Sequence, residues 1–343
     1  MDTLMKQFEI TKKGNLLDQQ GRVAQSGYAK HLILQYNRQM VKASKFRIKE
    51  WDYYFIGNKD FGVTMTIADN SYMGLAGVEF FDFTNQKQLD FQKISLFPMG
   101  KMNLPNDSKT GDITYQHRKI QMSMESHETH KGLFCRIPNI DGGQTFELDV
   151  KLYYRNQDSM VIATPFADDE KAFYYNQKVN NLEAEGMLKI GEEKYDLTNM
   201  LGVLDWGRGV WTYNNTWYWS SASGRLGDGT LFGFNLGYGF GDTSKASENM
   251  VFYKGKAYKL NDVDFGIPAS DYMDPWHFTS RDKAIDMTFE PIYLNHSDIN
   301  VGVLRHHPNQ IFGLYSGYIE INGGEKIKVN EIFGFAEKVH NKW

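Results

Sequence analysis

Residues 146–152 read F-E-L-D-V-K-L. Phe146, Leu148, Val150 and Leu152 share one period-two face, and Glu147, Asp149 and Lys151 share the other, which is the pattern of a half-buried strand in an antiparallel sheet. The stretch L-F-G-F-N-L-G-Y-G-F at 231–240 is more lopsided: Phe232, Phe234, Leu236, Tyr238 and Phe240 crowd one face, while Gly233, Gly237 and Gly239 leave the other almost bare. Bare positions in a strand let another backbone, a large side chain or a ligand come close. Further strands are expected at 51–57, 61–68, 76–83, 113–125, 157–164, 217–223, 250–254, 285–289 and 312–321. They are separated by turn signals such as G-N-K-D at 57–60, R-L-G-D-G at 225–229 and N-G-G at 322–324. Helical periodicity is scarce, with one short candidate near the C-terminus.

Composition agrees with an all-β chain, because 20 Tyr and 23 Phe suit pleated surfaces and 32 Gly against 8 Pro suit tight turns. At 343 residues, about 150 residues per domain gives roughly two units. Trp51-Asp-Tyr-Tyr-Phe-Ile-Gly and Trp217-Tyr-Trp-Ser-Ser-Ala-Ser-Gly each lead into a strand-turn-strand, a weak internal echo whose spacing suits an eight-stranded antiparallel barrel of lipocalin size. The expected architecture is two lipocalin-like barrels in tandem, residues 1–200 and 201–343.

A net charge of −4 without a basic run argues against nucleic acid as a partner, since phosphate binding needs clustered cations. Nothing approaches eighteen consecutive apolar residues, so no transmembrane span is expected. The N-terminal M-D-T-L-M-K-Q-F lacks a signal-peptide pattern and Cys135 is the single cysteine, which together suggest a cytoplasmic protein. Cys135 itself reads as a small buried hydrophobe.

Chemistry concentrates at 205–219, D-W-G-R-G-V-W-T-Y-N-N-T-W-Y-W, where four of the seven tryptophans fall beside a carboxylate and a guanidinium. Trp206, Trp211, Trp217 and Trp219 next to Asp205 and Arg208 suggest a wall that is apolar and hydrogen-bonding at once, as in a ligand cavity. The alternative is a structural plug in which Arg208 stacks on indole and pairs with Asp205.

At D-W-G-R-G-V-W the chain resembles a family described as a domain of unknown function, whose hallmark is D-W-G-R-G-x-W followed by W-x-W. The likeness extends through L-L-D-Q-Q-G-R, W-D-Y-Y, S-E-N at 247–249, P-W-H at 275–277, F-E-P at 289–291, F-G-L-Y-S-G at 312–317, and G-F-A-E with the final Trp343. More distantly the segment is similar to the two-domain lipocalin-like proteins that include carotenoid hydratases (hydroxyneurosporene synthases), tocopherol cyclases and certain fungal pericyclases. That resemblance implies paired calycin-type barrels with a lipophilic small molecule in one of them or between them. Those hydratases carry D-H-E-W-G where this chain has Asp205-Trp206-Gly207-Arg208-Gly209, so their acid–base residues have no counterpart here.

Three carboxylates are the catalytic candidates. Asp205 in an aromatic pocket would protonate an alkene whose cation the indole faces shelter, whereas an Asp205 paired with Arg208 would orient a group or hold the segment. Glu248 and Glu337 lie in recognisable motifs and either face a barrel interior or serve as satisfied structural groups. Arg208, the four clustered tryptophans, Trp276 and His277 are the ligand-binding candidates. His127-Glu128-Thr129-His130 has the wrong spacing for a zinc helix and would point its histidines to opposite faces of a strand, so no metal site is expected. Phosphate-loop, nucleophile-elbow and dinucleotide motifs are missing, and no cofactor is expected. The leading function is enclosure of a lipophilic small molecule with cofactor-free hydration, isomerisation or cyclisation. The alternatives are a carrier or sensor that only binds, and a carbohydrate-active enzyme with paired carboxylates and Trp217, Trp219 and Trp276 as stacking platforms.

Overall fold

The computed structural model describes residues 6–155, 157–301 and 304–342; the N-terminal residues 1–5 and the family-matching Trp343 lie outside the described residues. The chain is built from two large antiparallel sheets that curl on themselves, with short 3-10 turns at Arg38–Met40 and Lys45–Arg47. The expected C-terminal helix is a strand, Glu325–Lys342, and the single strand expected at 113–125 is a hairpin, Ile113–His117 with Ile120–Ser126.

Both sheets follow one plan. In the first, the meander Ile48–Gly57, Phe61–Asp69, Met73–Asp82 and Lys87–Leu96 is joined at its first strand by Leu201–Val210. Asp169–Ile190, Gln144–Tyr153, His130–Asp141, Ile120–Ser126 and Ile113–His117 then follow outward. In the second, the meander Asn214–Arg225, Leu231–Tyr238, Met250–Tyr253 and Lys256–Lys259 is joined at its first strand by Glu325–Lys342. Leu304–Ile321, Ile285–His296, Trp276–Ser280 and Val263–Asp264 complete the order. The weak echo between Trp51 and Trp217 therefore aligns the first strands of the two meanders. The chain crosses from one sheet to the other between Val210 and Asn214, ten residues beyond the expected boundary at 200, because Leu201–Val210 hydrogen bonds to Ile48–Gly57 and Asp169–Ile190. Each sheet is a half-barrel rather than a closed ladder; the outer edges of the first meet through Ser95 Oγ and Tyr115 Oη at 3.0 Å.

Alternation assigns the interiors. Phe146, Leu148, Val150 and Leu152 are buried inside the first sheet, with Cys135 beside them. Phe232, Phe234 and Leu236 enter the second core with Trp276, Phe278 and Tyr315. A third cluster joins the sheets back to back: Phe55, Phe81, Phe83 and Val203 from the first meet Trp219, Phe312 and Phe335 from the second. The long strand Asp169–Ile190 also bulges between Val179 and Leu182, and Asn180 Nδ2 reaches across to donate to Ser221 Oγ (2.8 Å) and the Phe234 carbonyl (3.1 Å).

The D-W-G-R-G-V-W motif sits at the centre of this arrangement. On a strand, an odd offset places two side chains on opposite faces. Asp205 and Gly207 therefore face the second sheet, while Trp206 and Arg208 point into the first interior. The indole of Trp51, directly across the ladder from Gly207, lies on that glycine so closely that a Cβ there would fall 1.9 Å from a ring carbon. Gly207→Ala is expected to displace Trp51 and cost about 1–3 kcal/mol, the usual penalty for overpacking; a urea midpoint unchanged from the parent would contradict this.

Candidate functional site

Beside the aromatic cluster that joins the sheets, their facing surfaces part to leave a cavity of about 1030 Å³. Its walls come from both sheets, so it lies between the half-barrels and inside neither. One end is aromatic. Trp51 stacks on Tyr174 (6.3 Å between ring centroids) and meets Trp211 edge-on at 5.3 Å, and Trp211 in turn meets Trp217 at 5.7 Å and Phe240 at 4.8 Å. The two members of the sequence echo, Trp51 and Trp217, thus close on the same tryptophan from opposite sheets.

The ionisable groups occupy the middle. Lys178 and Asp205 are opposed across neighbouring strands of the first sheet and form an ion pair at 2.7 Å. The Lys178 ammonium lies 3.6 Å from the centre of the Trp219 ring, a cation–π contact in a largely desolvated place. Asn176 Nδ2 donates to Asp205 Oδ1 (2.6 Å), so both carboxylate oxygens are held. Opposite stands Glu337, directly across the ladder from Trp219. Its Oε1 accepts the Trp217 Nε1–H at 3.1 Å. Burial pushes the Glu337 carboxyl up to about 7, against the smaller opposing pulls of the Trp217 hydrogen bond and the Lys178 charge; Asp205 and Glu248 add to the rise. Glu248 is raised by the same burial, with Lys178 and an Asn235 hydrogen bond opposing it. It reaches the cavity because Gly237 is bare: a Cβ there would meet the Glu248 carboxyl carbon at 3.1 Å. Asn235 links the parts, accepting the Trp219 Nε1–H (2.7 Å) and donating to the Glu248 carbonyl (2.9 Å).

The cavity therefore brings together Asp205, Glu248, Glu337, Trp211, Trp217 and Trp219 from the sequence candidates. The rest lie elsewhere. Arg208 pairs with Asp52 (2.9 Å) instead of Asp205, donates to the carbonyls of Trp51, Gly207 and Pro105, and stacks 4.3 Å over Trp206 inside the first sheet. Trp276 is packed in the second core, its Nε1–H donated to the Tyr272 carbonyl, because its strand turns that face inward. His277, one residue on, consequently points outward to Asp286 at 3.3 Å. His127 and His130 do come together, their rings stacked at 4.4 Å across a hairpin turn, but among the described residues no three potential metal ligands converge there or anywhere else. Reading the sequence missed Lys178, Asn176, Trp51, Tyr174, Glu79 and Asn341. Glu79, half-buried on the first sheet's cavity face and held by Thr64 and Asn295, is a further carboxyl raised by desolvation.

Among solved structures, kievitone hydratase from Nectria haematococca aligns over 86% of this chain and 88% of its own at 9% identity with a TM-score of 0.45. CghA, solved with Sch210972, aligns over 86% of this chain and 88% of its own at 9% identity with a TM-score of 0.46. At that level no residue correspondence is transferred. No curated protein sequence matches. The model of the family described as domain of unknown function DUF2804 matches residues 7–343, nearly the entire chain, and the protein belongs to that family.

Proposed function

We propose that the protein encloses a lipophilic small molecule between its two sheets and acts on it by proton transfer, in a hydration, isomerisation or cyclisation, within the cytoplasm. The observation that carries this reading is Glu337, a buried carboxyl near half-protonation at neutral pH that faces an indole-lined cavity. A group poised near the working pH both gives and takes a proton efficiently. With Oε1 fixed by Trp217, we assign the exchangeable proton to Oε2. In a hydration, the Oε2–H bond breaks as a C–H bond forms on one alkene carbon, leaving its neighbour cationic against the faces of the aromatic wall. Water then adds to the cation and returns its extra proton to the Glu337 carboxylate. In an isomerisation the cation instead loses a proton to the same oxygen. The Lys178 charge is offset by Asp205, so the middle of the cavity does not repel the cation.

Native mass spectrometry of protein purified gently from its natural source is expected to show a retained apolar molecule. Glu337→Gln is expected to retain that molecule unconverted, with turnover reduced about 10²–10⁴-fold, the usual contribution of a general acid. A clean mass without ligand would overturn the enclosure, and full turnover by Glu337→Gln would overturn the role of the carboxyl.

A further inference from the structure

Large apolar and aromatic side chains that stand in solvent gather at one end of the first sheet. Phe46, Ile94, Leu96, Phe97 and Tyr213 are between 40% and 78% exposed, Leu96 the most. The ladder register brings them together: Ile48 pairs with Val210, Glu50 with Asp69, Asp69 with Gly74, and Met73 with Leu96. The residues just before 48, between 69 and 74, around 96 and just after 210 therefore share one rim. Phe46 sits on the 3-10 turn that enters Ile48, and Tyr213 on the crossing that leads to Asn214, opposite Lys342 in the second sheet. The cavity reaches the same rim, since Tyr72, Met73 and Ile94 from the first sheet and Arg305 from the second are among its walls.

The loop that carries Phe97 is pinned in place. The Phe97 N–H donates to the Tyr72 carbonyl (2.9 Å), the Met99 N–H to the Ser71 carbonyl (3.0 Å) and the Gly100 N–H to Oδ2 of the buried Asp69 (2.8 Å). Phe97 itself has φ of +50°, a left-handed conformation that a bulky side chain adopts only under constraint. A strained backbone thus holds an aromatic ring 60% in water, and strain kept at such a position points to function. Cations frame the same rim although the whole chain has a net charge of −4. Lys45 adjoins Phe46, Lys101 lies in the pinned loop, and Arg305 and Lys342 are directly opposed across the second sheet. Like charges so opposed repel, and an anionic partner relieves them. Two acids at this end are already engaged, Asp169 by Arg47 (2.7 Å) and Asp298 by His307 (3.1 Å).

We propose that this rim docks on an anionic phospholipid surface, with Leu96 and Phe97 entering the headgroup layer and Lys45, Lys101, Arg305 and Lys342 meeting lipid phosphates. Shallow apolar insertion combined with attraction to anionic headgroups is what holds a protein on a membrane without crossing it. A second copy of the chain is a poorer occupant, because two such rims face to face would crowd the cations of one against those of the other. The use of the rim as a loading face rests on the enclosure proposed above: a lipophilic guest passes between bilayer and cavity without crossing water.

The test is flotation with vesicles of phosphatidylcholine alone and of phosphatidylcholine mixed with phosphatidylglycerol, together with light scattering for the oligomeric state. The parent is expected to float with the anionic vesicles, less with the neutral ones, and to be released as salt is raised. Leu96→Ser/Phe97→Asn and Lys45→Glu/Lys101→Glu are each expected to bind anionic vesicles about tenfold more weakly or worse. The first should melt no lower than the parent, because Asn accepts a positive φ more readily than Phe. A parent that ignores anionic vesicles, or two variants that float as the parent does, would overturn the docking face. A parent that stays out of the lipid as a dimer, with Leu96→Ser/Phe97→Asn monomeric, overturns it in favour of self-association. Vesicle binding needs no guest in the cavity, so a retained molecule in native mass spectrometry upholds the enclosure whether or not the rim binds lipid.

Discussion

Arg208→Met is expected to destabilise the protein by about 3–5 kcal/mol, read as a lowered urea midpoint at unchanged slope, because it leaves a charge stranded in a packed interior. The guanidinium is completely buried and its partner Asp52 is 1% exposed. Removing the cation forces Asp52 either to keep an uncompensated charge or to take up a proton, and it strips donors from the carbonyls of Pro105, Trp51 and Gly207. The double variant Arg208→Met/Asp52→Leu is expected to regain most of the stability, since apolar replacement of a whole buried pair is often neutral. Arg208→Lys should fall between, keeping the charge but losing the planar fork that serves several acceptors at once. A loss under about 1 kcal/mol for Arg208→Met would show that the ion pair does not hold the first sheet in the way its geometry implies.

The second large effect is on the pH dependence of stability. Glu337 has a folded-state pKa near 7 against 4.5 for a free glutamate side chain, so between those values the native state holds the proton more tightly than the unfolded chain. Stability from this carboxyl is fully present below pH 4.5 and is lost progressively as pH rises toward 7. The integrated loss is about 3 kcal/mol. Glu337→Gln keeps an oxygen for the Trp217 N–H and removes the ionisation. It is therefore expected to match the parent near pH 4.5 and to exceed it by about 3 kcal/mol at pH 8, a gain in stability at the expense of function. Parallel stability curves for the two proteins across pH 4.5–8 would contradict the assignment.

The elements that the sequence made legible are those with one wet face. Gln144–Tyr153 alternates from Phe146 onward, its odd residues standing out of the core as its even residues fill it. Asp169–Ile190, the longest strand and the one that carries Asn176 and Lys178, showed no such signal because much of it is buried on both faces, one in the first interior and one against the second sheet. Lys178 was missed for that reason alone. Its partner Asp205 was conspicuous in its motif, yet Arg208 was the nearer cation in sequence and the wrong one in space. Period-two geometry separates residues 205 and 208, and applying it to D-W-G-R-G-V-W would have parted them before any coordinates. Gly233 and Gly237 kept their promise in a different way, admitting Asn181 and Glu248 from neighbouring elements. Asn341 carried no signal at all, since an asparagine near a strand end is commonplace.

The back-to-back seam formed by Phe55, Phe81, Phe83, Phe312 and Phe335 fixes how far apart the two half-barrels stand next to the cavity. Occupancy and domain docking are consequently linked quantities: a guest present at a hundred times its dissociation constant adds about 2.7 kcal/mol to the association of the halves while leaving each hydrophobic interior untouched. The width of the chamber is likewise adjustable from the seam. Trimming a ring there would draw the walls together, and selection has a route to new guests that does not repack either interior.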